Sequence, residues 1–161
     1  MFNTHGKIYE ASASQMFKVP IESVTKGSAL RQRGKVAELA LGFQGGKNAL
    51  IKMGALKEGL TESELPQLVA MWRNANKQIV RLWGVVEDAA IETVVSGQPV
   101  QIMHGIRFSV EKGILFIQLP SGRRLAYVRP KMKAGKFGNA SLTYEGMDQT
   151  TKQWTIQDTY G

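Results

Sequence analysis

The sequence lacks several features that define common protein classes. It contains no cysteine, which excludes a disulfide framework and a thiolate metal site. Its histidines, His5 and His104, lie far apart, and neither has a carboxylate or a second histidine at ligand spacing. No apolar run approaches the roughly 18 residues that a membrane-spanning helix needs, and the N-terminus has no apolar core typical of a secretion signal. We therefore expect a cytoplasmic protein without a membrane partner.

Acidic residues are also few. The 161 residues include 13 Asp and Glu against 21 Lys and Arg, for a net charge of +8. Such a charge favours polyanionic partners, of which nucleic acid is the commonest and an anionic membrane the alternative. Apolar residues make up 43% of the chain, which is enough for an ordered core in one domain or in a large piece of a longer protein.

Complete catalytic motifs are missing. Gly45-Gly46-Lys47 is not a phosphate-binding loop of the G-x-x-x-x-G-K-[ST] type, because Leu41 replaces the first glycine and Asn48 the hydroxyl residue. No paired carboxylates suggest a site for two metal ions about 4 Å apart. Taken alone, the chain does not look like a complete enzyme, and we predict no metal ligand in it.

The first part of the chain is predicted to be helical. A short helix is expected over residues 7–17, ended by Val19-Pro20. Ser28 is the expected N-cap of a second helix, about 28–45, that Gly45-Gly46 ends. A short helix follows over 47–55. A capping box formed by Thr61 and Glu64 opens a helical stretch to about residue 95, with a break at residues 74–76.

From Ser96-Gly97 onward the pattern changes to short strands. Four are predicted between residues 99 and 130, and two more over 140–144 and 153–156. The expected fold class is α+β, with an N-terminal helical region followed by antiparallel β-hairpins. We predict two regions, 1–97 and 98–161. The chain stops at residues 158–161 without a terminal helix. We therefore interpret it as a piece of a longer protein.

The most informative pattern is a stripe on the second helix. Arg31, Lys35, Leu39 and Phe43 follow one another at intervals of four, so that a helix carries them on one face. Two cations at the start of the stripe suit a polyphosphate, and an aromatic ring further along suits a nucleobase. The alternative is a solvated helix whose basic residues simply face water.

A second basic feature lies in the strand region. No acid occurs between Glu111 and Glu145, and this segment predicts contact with a phosphate backbone. Tyr127 and Phe137 lie among the cations as candidates for stacking on bases or sugars. The alternative is a solvated hairpin edge protected by charge. The candidate DNA-binding residues are Arg123, Arg124, Arg129, Lys131, Lys133 and Lys136.

Three ordered motifs make the chain resemble a known family. The run RQRGKVAELALGFQGG resembles the finger-helix motif R-x-x-x-K-x-x-x-F-x-x-x-Y-G of family A DNA polymerases, the bacterial polymerase I type. The preceding KIYEASASQMFKVP resembles the segment D-I-H-x-x-T-A-x-x-x-F-G-V-P, and LPSGRRLAYVRP resembles the strand motif D-G-R-R-x-x-L-P. The closing TYEGMDQTTKQWTIQDTYG is similar to the version found in phage and prophage members.

The resemblance implies roles for individual residues. Arg31 and Lys35 stand at positions that bind the triphosphate of the incoming dNTP, and Lys35 at the position that neutralises or protonates the departing pyrophosphate. Tyr9 stands where the family has a histidine that touches the phosphates. Phe43 replaces a tyrosine and Leu39 a phenylalanine at the nascent base pair. Arg123 and Arg124 resemble a pair near the template or primer backbone.

The resemblance also implies what this chain does not contain. The aspartate motifs D-[FY]-S-x-x-E and H-D-E, which hold Mg²⁺ in the intact polymerase, do not occur in it. We therefore interpret the chain as a fingers fragment that binds dNTP and contacts primer–template DNA, with remaining polymerase domains or a separate palm chain as partners. Two alternatives stay open, a stand-alone nucleic-acid-binding module and one subunit of a split polymerase.

Overall fold

The computed structural model describes residues 6–135 and 140–159. Its helices are α1 (Ile8–Phe17), α2 (Ala29–Leu41), α3 (Lys47–Lys52), α4 (Leu65–Ala75) and α5 (Lys77–Ser96), with short 3₁₀ turns at Ile21–Ser23 and Met103–Gly105. The strands are β1 (Val100–Gln101), β2 (Arg107–Glu111), β3 (Ile114–Gln118), β4 (Arg124–Ala134), β5 (Ala140–Met147) and β6 (Trp154–Asp158). The predicted α+β class, with helices first and antiparallel hairpins second, is confirmed.

The chain divides into two compact units. The first ends at Arg81 and the second begins at Leu82, so that this boundary falls within α5. Most of α5 therefore belongs with the strands in the second unit. The division into functional regions 1–97 and 98–161 stays a prediction.

Close packing of α1 on α2 organises the first unit. Gly34 has no side chain, and a Cβ added there would lie 2.5 Å from the Tyr9 carbonyl oxygen and 2.9 Å from the Ala13 Cβ. Ala13 is fully buried in this contact. The absence of a side chain at Gly34 therefore lets the two helix backbones approach closely, which brings the first turns of α2 next to Tyr9 and Glu10 of α1.

Helix α2 begins as predicted but ends earlier than predicted. The Ser28 side chain accepts a hydrogen bond from the Arg31 amide at 3.2 Å, as an N-cap does. The last helical residue is Leu41, whereas the sequence pattern predicted about residue 45. Gln44 adopts a left-handed conformation with φ 64°, and the Gly45 backbone packs against the Ala40 carbonyl, where a side chain would clash. This close approach turns the chain toward α3 before another helical turn forms.

The entry to α4 also differs in detail from the predicted capping box. The Glu64 carboxylate accepts a hydrogen bond from the Thr61 amide at 2.7 Å and another from the Thr61 hydroxyl at 2.8 Å. The helix itself begins only at Leu65. Its predicted end is confirmed, because α4 stops at Ala75 and Asn76 separates it from α5.

The second unit is a six-stranded antiparallel meander in which each strand pairs with the next along the chain. One face of this sheet, here called the inner face, packs against α5. Its buried core consists of Ala89 and Ala90 from α5 with Phe108, Leu115 and Leu142 from the sheet. The opposite, outer face includes the alternate positions, such as Phe116 of β3 and Thr143 of β5.

Strand β4 is longer than the sequence predicts. The predicted strand, RRLAYVRP, reached no further than Pro130. A proline cannot donate a hydrogen bond to a neighbouring strand. In the structure the pairing register between β4 and β5 shifts between Val128 and Lys131, and the strand continues to Ala134. Arg129 adopts φ 47° at this bulge and its amide donates to the Gly113 carbonyl at 2.9 Å. The bulge therefore accommodates the proline without ending the strand.

Candidate nucleotide and nucleic-acid interface

Arg31 lies in the first turn of α2, against α1. Its Nε donates to the Glu10 carboxylate at 2.7 Å, and its guanidinium carbon lies 5.4 Å from the centre of the Tyr9 ring. The Arg31 and Glu10 side chains are only 23% and 12% exposed, so solvent screens this ion pair less than a surface pair. The hydrogen bond from Arg31 lowers the pKa of Glu10 below its usual value. Thus Arg31 and Tyr9 are neighbours, and Arg31 already has an acidic partner.

The rest of the predicted stripe is exposed. Lys35 and Leu39 lie one and two turns beyond Arg31 on α2 and both face solvent. Among the residues that the structure describes, no acid forms an ion pair with Lys35. Lys35 is therefore the cation of the stripe that can approach an anion without first losing a partner.

Phe43 lies outside the helix on which the sequence placed it. It belongs to the turn that follows α2, and its side chain is 88% exposed. The helical four-residue spacing thus does not extend to Phe43, since α2 ends at Leu41. An aromatic ring with so much accessible surface is available for contact with another ring.

The strand cations differ from the prediction because tertiary pairing supplies acids that the local sequence lacks. Arg124 pairs with Glu111 at 2.7 Å and Arg129 with Glu145 at 2.8 Å. Lys133 pairs with Asp158 at 2.7 Å. The acid-free segment between Glu111 and Glu145 is therefore not an uninterrupted positive surface.

Arg124 makes a second contact with the sheet. Its guanidinium lies 3.6 Å from the centre of the Phe116 ring, a cation–π distance. The hydrogen bond from Arg124 lowers the pKa of Glu111 below its usual value, with help from the Ser109 hydroxyl. These contacts hold the Arg124 side chain flat on the outer face, where its orientation is defined before any ligand arrives.

The remaining strand candidates fall into three groups. Arg123 and Lys131 are exposed and have no ion pair within residues 6–135 and 140–159. Lys136 and the proposed stacking residue Phe137 lie outside the described residues. Tyr127 packs on the inner face, 5.0 Å from Tyr144 in a T-shaped arrangement, and burial raises its pKa. Tyr127 is therefore a core residue and not a stacking surface.

Two features had no sequence signal that identified them. Trp154 of β6 is 59% exposed, next to other exposed apolar side chains on the outer face. In the first unit, a cavity of about 230 Å³ contains the polar side chains of Arg33, Glu64 and Gln67 together with apolar neighbours such as Met71. The Arg33 Nε atom is buried there without a hydrogen-bond partner among the described residues. The cavity combines segments that are distant in sequence, and the exposure of Trp154 depends on which sheet face is covered, so a local pattern reveals neither.

Neither a metal-binding cluster nor a membrane-spanning helix occurs in the part of the chain that the structure describes. In the described part of the chain, no three His, Cys, Asp or Glu side chains are grouped so as to hold a metal ion. The residues present there do not form a Mg²⁺ site. No helix within residues 6–135 and 140–159 is long and apolar enough to cross a membrane.

Comparison with known proteins gives one informative match. The chain is 64% identical, over an alignment of 162 positions, to a protein named DNA polymerase from Bacillus phage SP02. Over its whole length, this chain is similar to part of a phage DNA polymerase. The alignment covers 100% of the chain but only 25% of that polymerase. No protein-family model and no solved structure matches the chain. The predicted resemblance to a phage DNA polymerase is confirmed, whereas assignment to family A rests on the sequence motifs.

Proposed function

We propose that this chain is the fingers region of a family A DNA polymerase and that α2 binds the triphosphate of an incoming dNTP. The observation that carries this proposal is the row of side chains on and just after α2, in which a half-buried Arg31 is followed by exposed Lys35, Leu39 and, at the end, Phe43. The match to a phage DNA polymerase supports a polymerase role for the region. The order of two cations and a ring suits a nucleotide aligned along the helix.

The start of α2 is favourable for a polyanion. Unpaired backbone amides and the helix dipole give the first turns of a helix a partial positive charge. Lys35 adds a full positive charge on that side, and Arg31 adds a second one when the phosphates replace its partner Glu10. In this proposal Lys35 contacts the phosphates directly and, in the complete enzyme, balances the negative charge that develops on the departing pyrophosphate.

Arg31 binds phosphate only by exchanging its present partner. Its hydrogen bond to Glu10 neutralises the guanidinium when no nucleotide is bound. A triphosphate brings more negative charge than one carboxylate and can displace it, after which Glu10 becomes solvated. Tyr9, beside the guanidinium, offers a neutral hydroxyl to the same phosphates. The pair with Glu10 thus positions Arg31 before binding. Breaking this pair lowers the net affinity for the triphosphate.

The aromatic end of the row contacts the base. Phe43 replaces the tyrosine expected at this position, which keeps the ring but removes the hydroxyl. Leu39 supplies an apolar surface in place of a second ring. We propose that the strand cations Arg123, Arg124, Arg129, Lys131, Lys133 and Lys136 contact primer–template DNA, and that carboxylates elsewhere in the polymerase hold Mg²⁺ and complete the reaction.

Titration calorimetry with dNTP and Mg²⁺ tests this proposal on the full 161-residue chain. We expect Lys35→Ala and Arg31→Ala each to weaken binding about tenfold, or about 1.4 kcal/mol. Lys77→Ala is the matched control, since Lys77 is an exposed lysine at the start of α5 and removes the same charge. Equal effects of Lys35→Ala and Lys77→Ala would indicate unspecific charge attraction, and no nucleotide binding by the wild-type chain would overturn the proposal.

A further inference from the structure

An apolar patch on the outer face of the sheet lacks a covering element within the described residues. Met147, Trp154 and Ile156 are 56%, 59% and 66% exposed. Met147 pairs directly with Trp154 across β5 and β6, and Ile156 lies two residues further along the same strand. Paired residues and alternate residues of a strand share a face, so these three side chains form one contiguous surface.

Cations lie on this same face. Lys131 and Lys133 pair with Thr143 and Ser141, which alternate along β5 with Glu145 and Met147. Arg129 reaches Glu145 on that face from the bulge. The outer face of β4, β5 and β6 therefore places Arg129, Lys131 and Lys133 on the second half of β4 and an exposed indole two strands away.

A phosphate group can replace the acidic partners of the cations on this face, because these ion pairs contribute little free energy. The Lys133 and Asp158 side chains are 52% and 58% exposed, and Arg129 is 68% exposed, while its partner Glu145 is 19% exposed. Solvent screens such pairs, and their net contribution is about 0–1 kcal/mol each. On this face the three cations Arg129, Lys131 and Lys133 stand against the two acids Glu145 and Asp158, so the face keeps an excess of positive charge, with Lys131 outside either ion pair.

The strand that carries Trp154 is held in place by its preceding turn. The Asp148 carboxylate accepts hydrogen bonds from the Thr151 amide at 2.6 Å and the Thr150 amide at 2.9 Å. These bonds lower the pKa of Asp148 below its usual value. The Asp148 amide in turn donates to the Gln153 carbonyl at 2.9 Å, immediately before Trp154. The indole is thus presented from a fixed hairpin rather than from a loose chain end.

We propose that the outer face of β4, β5 and β6 binds single-stranded nucleic acid, with Trp154 stacking on an unpaired base and Lys131, Lys133 and Arg129 contacting the phosphates. A basic strand beside an exposed aromatic is the arrangement that binds single strands without sequence preference. A duplex fits less well, because its bases are stacked on one another and offer the indole no free face. The inference rests on the proposed contact with DNA and specifies its strand form and its stacking residue.

Fluorescence titration of the full chain with a short oligothymidylate at low salt tests the proposal. Trp72 is fully buried, whereas Trp83 is partly exposed, so only the quenching that Trp154→Phe removes is assigned to the exposed indole. We expect Trp154→Ala to weaken binding about tenfold, as for the loss of one stacked base, and Trp154→Phe to retain most of it. For these variants, fluorescence anisotropy of a labelled oligonucleotide replaces the indole signal. A duplex of the same length should bind more weakly than the single strand.

Matched controls separate stacking and charge from general effects. Val95→Ala removes another exposed apolar side chain of the second unit and should leave binding unchanged. Lys131→Gln should reduce the salt dependence of single-strand binding, by about 0.7 in log–log slope for one lost phosphate contact. Lys112→Gln, which removes an exposed charge at the β2–β3 turn, should not. Circular dichroism confirms that each variant is folded.

The outcomes distinguish this proposal from the function of α2. Oligonucleotide binding that is unaffected by Trp154→Ala overturns the stacking site, even if dNTP binding depends on Lys35. Trp154-dependent binding without any dNTP binding supports the stacking site and rejects nucleotide binding by α2. Failure to bind the single strand, together with self-association that Trp154→Ala abolishes, would show that the patch is a protein contact and would overturn the proposal.

Discussion

The two units of this protein hold their cations in different ways. In the first unit Arg31 is largely enclosed between α1 and α2 and forms a directional hydrogen bond with Glu10. In the second unit Arg129 and Lys133 form ion pairs on an open sheet face, where more than half of each cationic side chain is exposed. An enclosed cation selects ligand geometry, whereas exposed cations attract any phosphate backbone. This difference agrees with the two proposals, a nucleotide site at α2 and a nucleic-acid site on the sheet.

The net charges of the two units do not by themselves explain this difference. Residues 1–81 contain twelve Lys and Arg against six Asp and Glu, whereas residues 82–161 contain nine against seven. The strands are nevertheless basic, because three of those seven acids, Glu87, Asp88 and Glu92, lie on α5. The distribution of charge over faces, and not the total for each unit, therefore decides which surface attracts an anion.

The largest expected effect tests the helix packing that positions Arg31. Gly34→Ala places a Cβ against the Tyr9 carbonyl and Ala13, where backbone cannot move aside cheaply, so we expect a loss of about 3 kcal/mol in unfolding free energy. Gly84→Ala in α5 is the control, because a Cβ there meets nothing within 4 Å. It should stabilise by about 0.5–1 kcal/mol through helix propensity. Urea denaturation measures both, and similar effects would contradict the close approach.

The next effect concerns the enclosed ion pair. Glu10→Gln leaves Arg31 without its charged partner and should lower the unfolding free energy by about 1.5 kcal/mol at neutral pH. Because the folded state lowers the pKa of Glu10, this stability is present above the unfolded value near 4.5 and is lost as pH falls through the folded value.

The Glu10→Gln variant should therefore lose less stability than wild type when pH is lowered from neutral to below 4.5. Thermal melts across this range measure the difference. Glu58→Gln is the control, since Glu58 is exposed and has no ion pair among the described residues. Parallel pH profiles for wild type and Glu10→Gln would show that the pair contributes nothing.

A smaller effect is expected beneath the sheet. Thr93 of α5 is fully buried, and its hydroxyl has no hydrogen-bond partner among the described residues. Thr93→Val keeps the shape and removes the unsatisfied hydroxyl, so it should stabilise the chain by about 1 kcal/mol. Thr93→Ser, which keeps the hydroxyl and leaves a small cavity, should destabilise it. Destabilisation by valine in chemical denaturation would mean that the hydroxyl has a partner.

The smallest effect is expected for the exposed cations. Lys133→Gln breaks the pair with Asp158 and should change the unfolding free energy by less than about 0.5 kcal/mol. If Lys133→Gln and Glu10→Gln lowered the unfolding free energy by similar amounts in the same denaturant series, the enclosed and the exposed cations would not differ in their contribution to stability.

Local patterns predicted much of the secondary structure. Helix α1, the Ser28 cap, the break at Asn76 and the succession of antiparallel strands all appear close to their expected positions. The early end of α2 was missed because it depends on contact between Gly45 and Ala40 within a tight turn. The length of β4 was missed because the bulge at Arg129 is stabilised by Gly113 of another hairpin.

The candidate site was predicted in part. Arg31, Lys35 and Leu39 lie on one helix as expected, with Tyr9 beside Arg31. Their roles in binding dNTP and DNA stay predictions. The acidic partners of the cations were not visible in the sequence, and neither was the exposed face around Trp154, since an aromatic in a strand more often belongs to a core.

The sequence by itself determined which residues stand three or four apart on a helix and which alternate along a strand, because those relations depend only on backbone periodicity. It also determined the excess of positive charge. Only the tertiary structure decided which charges meet, since the partners of Arg31 and Lys133 lie 21 and 25 residues away. It likewise decided which face of the sheet α5 covers, and thereby left Trp154 exposed while Tyr127 became part of the core.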